Sequence, residues 1–315
     1  MTREPAVLLN RRSFLVASAV AVGASALSSL AADAPASGGP GWAIGCFNRP
    51  WTKWPYDTAL DGIRDAGYKL TGLLTAHPIY AAGDATATKG QFEPFARSEA
   101  TAEYLDALKR RIAQRGLAVN MYALRNPFTG DAADVIKQVR AQIDHAKALS
   151  LDFVLSFGVA KADEYDNFIK AMADGAAYAQ EQGVKLVMKP HGGNTGTAQE
   201  ILDTLKKVNH ANFKIWYDAG NIIYYTGKDP VAELDPIAEH VTGFCAKDCS
   251  GKGKEVLIQF GDGKVDFAGV FKKLKSAGFS GPLMVEGVAV ADTADQTTEN
   301  ARKNREFLER VLASV

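Results

Sequence analysis

Val184-Lys185-Leu186-Val187-Met188-Lys189-Pro190-His191-Gly192-Gly193 reads as a buried strand that runs out into a glycine-rich loop, with Lys189 and His191 at its carboxyl end. In a parallel α/β fold that end carries the chemistry, so a lysine there is a candidate working group rather than a solubilising one. The rest of the chain decides whether the strand has the right neighbours.

Short apolar strand patterns recur along the chain, at Trp42 to Phe47, Lys69 to Thr75, Ala118 to Leu124, Phe153 to Gly158, Lys185 to Lys189, Phe213 to Asp218, Val241 to Lys247 and Leu283 to Glu286. Between them lie amphipathic helical patterns: Ala100 to Arg115, Ala132 to Leu149, Asp163 to Gln182, Thr197 to Val208, Pro230 to Glu239 and Phe267 to Ala277, with Thr297 to Leu312 closing the chain. Eight strands, each followed by a helix or a helix-length segment, predict an α/β protein with a single (β/α)8 TIM barrel. A doubly wound open sheet is the alternative. Gly67, Gly116, Gly183 and Gly278 each stand between a helix and the next strand, where a left-handed cap is cheapest as glycine. Asp229-Pro230 and Asp266-Phe267 look like helix starts, an acidic N-cap ahead of the first helical residue.

The 315 residues are 47% hydrophobic and 23% charged, ordinary for a globular chain with one large core. The 36 basic residues balance 36 acidic ones, so no bulk charge favours nucleic acid or an anionic membrane. At the amino terminus, Asn10-Arg11-Arg12-Ser13-Phe14-Leu15 sets two arginines ahead of an apolar run from Val16 to Leu30. That is the layout of a twin-arginine export signal, and the run is short for a spanning helix, which needs roughly 20 residues. The expected organisation is a signal peptide over 1–34, a flexible tether over 35–41 and the barrel over 42–315. The twin-arginine export machinery is then a partner and the periplasm the destination. Cys46, Cys245 and Cys249 would enter an oxidising space. A Cys245-Cys249 disulfide is open on spacing, but Cys245 sits in an apolar strand pattern and reads as a small core residue.

The carboxyl ends of the strands provide the site candidates. They are Asn48 and Arg49 on the first strand, His77 on the second, Arg125 and Asn126 on the third, and Lys189 and His191 on the fifth. The sixth offers Asp218 and Asn221, the seventh Lys247 and Asp248, and the eighth Glu286. Polar residues that converge there while strand interiors stay apolar are the expected signature of a barrel site.

Trp216-Tyr217-Asp218-Ala219-Gly220-Asn221, Cys245-Ala246-Lys247-Asp248, Gly261-Asp262-Gly263-Lys264-Val265-Asp266-Phe267 and Val285-Glu286 resemble the xylose isomerase-like sugar phosphate isomerase and epimerase superfamily, in order and over the whole region from Trp42 onward. The resemblance implies a divalent metal held by a glutamate on strand five, an aspartate on six, a histidine on seven and a glutamate on eight. Asp218 and Glu286 match two of these positions. The other two fall on Lys189 and Cys245, a cation and a thiol, so no cofactor is assigned and the usual metal site is disfavoured. An ammonium held between Asp218 and Glu286 can stand in the metal's place and donate to a substrate oxygen. The second option is a shifted metal on Asp218, Glu286 and His191.

The family's chemistry, proton transfer beside a carbonyl, needs a base near carbon and a cationic group at the oxygen that becomes negative. Glu286 is the candidate base, His191 a second acid or base, and Lys189 and Lys247 the oxygen-side groups, with Asp218 completing the catalytic set. Asn221, His77, Arg125 and Asn48 are the candidate substrate contacts. The leading expectation is an exported enzyme that isomerises, epimerises or eliminates on a keto sugar or an oxidised glycoside. A small carbohydrate is the expected partner, and residues alone do not specify the oligomeric state. A non-catalytic sugar-binding barrel is the alternative, and would bind ligand without exchanging its protons with solvent. A metal-dependent hydrolase of the endonuclease branch is the third reading, against which stand only five histidines and a neutral net charge.

Overall fold

The computed structural model describes residues 41–81, 87–97, 99–125 and 128–315; the expected export signal, the tether as far as residue 40, and Asn126 lie outside them. Eight strands form the barrel: β1 (Ile44–Phe47), β2 (Leu70–Leu73), β3 (Ala118–Ala123), β4 (Phe153–Phe157), β5 (Lys185–Lys189), β6 (Phe213–Asp218), β7 (Val241–Ala246) and β8 (Leu283–Val285). Every neighbouring pair is parallel, and β1 is bonded to both β2 and β8, which closes the ring. Closure rules out the doubly wound sheet.

Around the ring lie α1 (Tyr56–Asp65), α2 (Ala102–Ala113), α3 (Ala132–Ala148), α4 (Tyr165–Glu181), α5 (Ala198–Val208), α6 (Pro230–Leu234), α7 (Phe267–Ser276) and α8 (Ala294–Ala313). Local chemistry explains their ends. Thr197 caps α5 in a reciprocal box with Glu200, while Asp229 and Asp266 accept from the first turns of α6 and α7 as expected. Gly67, Gly116, Gly183 and Gly278 all have positive φ, between 68° and 91°, which an L side chain resists.

Three details depart from the sequence reading. The pattern from Pro230 to Glu239 breaks after Leu234 into a tighter 3-10 turn, Asp235–His240, because Pro236 has no N–H to give the helix. The stretch between Phe47 and Lys69 holds α1, which buries Ala59, Leu60 and Ile63. Between β2 and α2 a small antiparallel pair forms from Pro78–Tyr80 and Ala87–Phe92, with no strong alternation to announce it.

The apolar residues divide between two layers. One lies between strands and helices and includes Ile63, Leu108, Ile143, Phe168, Ile201, Phe271 and Leu308. The other fills the barrel itself with Phe47, Leu74, Met121, Leu155, Val187, Trp216, Cys245 and Met284. Each of the larger side chains, fully buried, stabilises the fold by about 1.5–3 kcal/mol. Cys245 is thus a core residue; all three cysteines are buried and unbridged, and the Cys249 thiol donates to the carbonyl of Gly251 at 3.1 Å. Among the described residues, no helix is long and apolar enough to cross a membrane.

Candidate active site

Period-two alternation along β5 puts Lys185, Val187 and Lys189 on one face, and the barrel's curvature turns that face inward. Lys185 is exposed at the lower rim, Val187 lies in the inner apolar layer, and Lys189 is 1% exposed at the upper end. A lysine buried so completely needs charge to meet it. The ends of β6 and β8 supply it: Lys189 Nζ stands 3.1 Å from Asp218 Oδ2 and donates to Glu286 Oε2. Burial opposes the charge on Lys189, but the carboxylates of Glu286 and Asp218 outweigh it and raise its pKa above the ordinary lysine value.

Lys247, from the end of β7, joins the same cluster. Its Nζ lies 3.0 Å from Asp218 Oδ2 and 3.4 Å from Glu286 Oε1, and donates to Asn221 Oδ1 at 2.6 Å. Asn221 in turn donates to the Pro190 carbonyl at 2.7 Å, tying the end of β6 to that of β5. Gly220 makes the crossing passable, since a Cβ there would come within 2.6 Å of the Lys247 carbonyl. Arg49, just past β1, completes the ring of cations with Nη1 at 2.6 Å from Glu286 Oε1. Burial alone would raise the Glu286 pKa; Lys189, Lys247 and Arg49 overcome it and hold the carboxyl well below the usual range. Glu286 is therefore a firmly ionised anchor, and a weak proton acceptor, because three cations stabilise its charged form.

His191 lies beyond Pro190 and is turned away from the carboxylates. Its Nε2 is 2.9 Å from the Tyr225 hydroxyl, and its ring lies 5.4 Å from that of Phe157. Burial, reinforced by Lys189 and Lys247, lowers its pKa to about 4, and the Tyr225 hydroxyl is pushed up to about 12, mainly by burial. Both are neutral at pH 7. Tyr225 was not among the expected residues; it reaches the site because the wide helical turn Ile222–Thr226 follows Asn221.

A cavity of about 460 Å³ opens above the cluster, bounded among others by Arg49, Arg125, Lys189, His191, Asn221, Tyr225, Lys247 and Glu286. Two expected contacts do not reach it. Asn48 Nδ2 donates to the Thr75 carbonyl at 2.8 Å and its Oδ1 accepts from Thr75 N at 3.2 Å, while His77 Nε2 lies 2.6 Å from the Trp54 carbonyl. Both side chains are fully buried and clasp the loops after β1 and β2, so their polar atoms serve backbone instead of ligand. Asp248, which could have paired with Lys247, instead accepts from the backbone N–H groups of Cys249, Gly261, Gly263 and Val265 and folds the glycine-rich loop around itself. A Cβ on Gly263 would fall 2.1 Å from its Oδ1.

Asp218, Cys245 and Glu286 bring three potential metal-binding atoms within 4.8 Å of one another. The third member is Cys245, directly opposite Asp218 in the register of β6 and β7, and not His191, which its loop carries toward Tyr225.

The model of the xylose isomerase-like TIM barrel family matches residues 80–311. An inosose dehydratase of Geobacillus kaustophilus is 26% identical over 166 residues, 47% of this chain and 53% of that protein, so the chain spans about half the length of the curated relative it matches. Among solved structures, a D-allulose 3-epimerase from Methylomonas sp. superposes with a TM-score of 0.63 at 17% identity, covering 86% of this chain and 98% of the other. A xylose isomerase-like TIM barrel protein from Mycobacterium smegmatis, in complex with magnesium, does so with a TM-score of 0.68 at 14% identity, covering 87% and 97%.

Proposed function

The chain belongs to the xylose isomerase-like TIM barrel family, and from that premise we propose that it is a carbohydrate isomerase, epimerase or lyase in which a lysine ammonium occupies the centre that a metal ion would take. Its substrate is a keto sugar or an oxidised glycoside, and its reaction starts by removing a proton next to the carbonyl. The observation that carries this reading is Lys189 Nζ seated between Asp218 and Glu286, inside the only grouping of potential ligand atoms found among the described residues. A divalent ion does not fit there: it would displace or face Lys189, Lys247 and Arg49, three cations already bound to the same carboxylate oxygens. The relatives, a dehydratase and an epimerase, both act on polyol or sugar skeletons by their names, which supports the carbohydrate class.

In this scheme Asp218 and Glu286 fix two ammonium groups side by side at the cavity floor, and those groups stabilise the oxyanion that develops as the proton leaves carbon. His191, on the cavity wall beside Tyr225, passes the proton back to carbon or to a leaving group. With its pKa lowered to about 4 it is a weak acceptor, so the transfer depends on Lys189 and Lys247 first stabilising the oxyanion. The double arginine at Arg11-Arg12 supports export through the twin-arginine pathway to the periplasm.

The test uses the purified protein with keto glycosides and ketoses in deuterated water, with and without a chelator. Deuterium incorporation or glycoside cleavage is expected to persist with chelator and to vanish in Lys189→Met. Activity that disappears on chelation sinks the ammonium reading, and tight binding with no exchange at all makes the protein a sugar-binding barrel. Cell fractionation of an Arg11→Lys, Arg12→Lys double variant checks export, which should leave the protein in the cytoplasm.

A further inference from the structure

The cavity has two kinds of lining. Its floor is ionic, with Lys189, Lys247 and Glu286, and the side formed at the ends of β4, β5 and β6 is aromatic. Phe157, His191, Tyr225 and Tyr224 follow one another along that side, with successive ring centres 5.4, 4.8 and 4.9 Å apart. Successive planes are inclined by 61°, 49° and 80°, so the row offers ring faces as well as edges. All four rings are only half-buried, whereas Phe47 and Trp216, lower in the barrel, have no exposure at all. Aromatic surface of this kind gains free energy when another apolar face covers it.

The apolar lining continues past Tyr224. The Gly253 N–H donates to the Tyr224 carbonyl at 2.9 Å, joining the end of the aromatic row to the loop after β7. That loop sets Val256 against the cavity and leaves Leu257, next to it, 36% exposed, one of two large apolar side chains so exposed among the described residues. At about 460 Å³ the cavity falls within the roughly 300–1,000 Å³ of sites that enclose drug-sized ligands.

We propose that the ligand is an aryl glycoside, whose sugar ring sits over Lys189 and Lys247 while its aromatic aglycone covers Tyr225, Tyr224 and Val256. The two halves of such a ligand match the two linings. Its hydroxyl and carbonyl oxygens accept from the ammonium groups, and a flat ring meets the row at the edge-on or offset angles that aromatic pairs prefer. A rigid aryl group also has little rotamer freedom to lose on being held there. That the sugar is oxidised rests on the enzyme reading; the aryl subsite follows from the aromatic row itself.

Calorimetric titration of the full protein with the 3-keto derivatives of phenyl, cyclohexyl and methyl glucoside, each as both anomers, tests this. The better phenyl anomer should bind about tenfold or more tightly than any methyl or cyclohexyl compound, and added salt should leave that preference in place because no ion pair supports it. Tyr224→Ala should abolish the preference, Tyr224→Phe should keep it, and Val256→Ser should reduce it. The proposal is overturned if methyl or cyclohexyl compounds bind as tightly as phenyl, if none binds at about 10 mM, or if a folded Tyr224→Ala retains the full preference. Phenyl selectivity without deuterium exchange would remove the enzymatic reading and leave the subsite standing; exchange without selectivity would do the reverse.

Discussion

Two layers of side chains fill the same barrel and obey opposite rules. The lower layer, with Phe47, Leu155, Val187, Trp216 and Met284, is dry and apolar; the upper one packs Lys189, Lys247, Asp218 and Glu286 together with almost no exposure. Val187 and Lys189, two residues apart on one face of β5, mark the border. The apolar layer stabilises simply by leaving water. The ionic layer has to recover the desolvation of four charges through mutual attraction, and a buried ion pair is often no more stabilising than hydrophobic residues of the same volume. Its retention at the mouth of a cavity therefore speaks for chemistry, and its integrity depends on every member being present.

The strongest way to break the contrast is to remove one charge from the upper layer. Glu286→Gln leaves Lys189, Lys247 and Arg49 short of their shared anion and should lower unfolding free energy by about 3–5 kcal/mol, read by urea denaturation, and should also abolish exchange. Truncating the lower layer should cost stability alone: Leu155→Ala is expected to destabilise by about 2–5 kcal/mol through cavity formation, with substrate affinity unchanged in the same titrations. Equal effects of both variants on binding would show that the layers are not separable. Asp248→Asn, which weakens four backbone hydrogen bonds to a carboxylate, should destabilise by about 2 kcal/mol and increase proteolysis within 249–265. The mildest probe is pH. His77 and His191 are held neutral in the fold down to about pH 4, burial being the main cause, whereas unfolded imidazole takes up a proton near 6.5. Their neutral forms are therefore no disadvantage above pH 6.5, and stability falls as the pH drops from 6.5 toward 4. Urea midpoints measured across that window should flatten in His77→Gln; an unchanged slope would show that His77 titrates normally.

Much of this arrangement could be read in the chain. The eight strands, the glycine caps and the convergence of Lys189, Asp218, Asn221, Lys247 and Glu286 at one end follow from periodicity and punctuation, because strand direction alone places carboxyl-terminal residues together once the sheet is parallel. Partnerships were less legible. Arg49 and Glu286 are 237 positions apart, and only closure of β1 against β8 joins them. Asn48 and His77 have the residue types of ligand contacts, yet their side chains are consumed by nearby carbonyls. Tyr225 had no signal beyond an aromatic pair after Asn221.

By itself, the sequence determined the alternation of elements, the barrel that the alternation implies, and the identities of the residues at its mouth, since these depend on local propensity and burial pattern. Which charge faces which was decided only in three dimensions. A carboxylate with one cation beside it is a candidate base, and the same carboxylate with three is an anchor; that distinction is electrostatic, falls steeply with distance, and exists only once β1, β5, β7 and β8 have closed around Glu286.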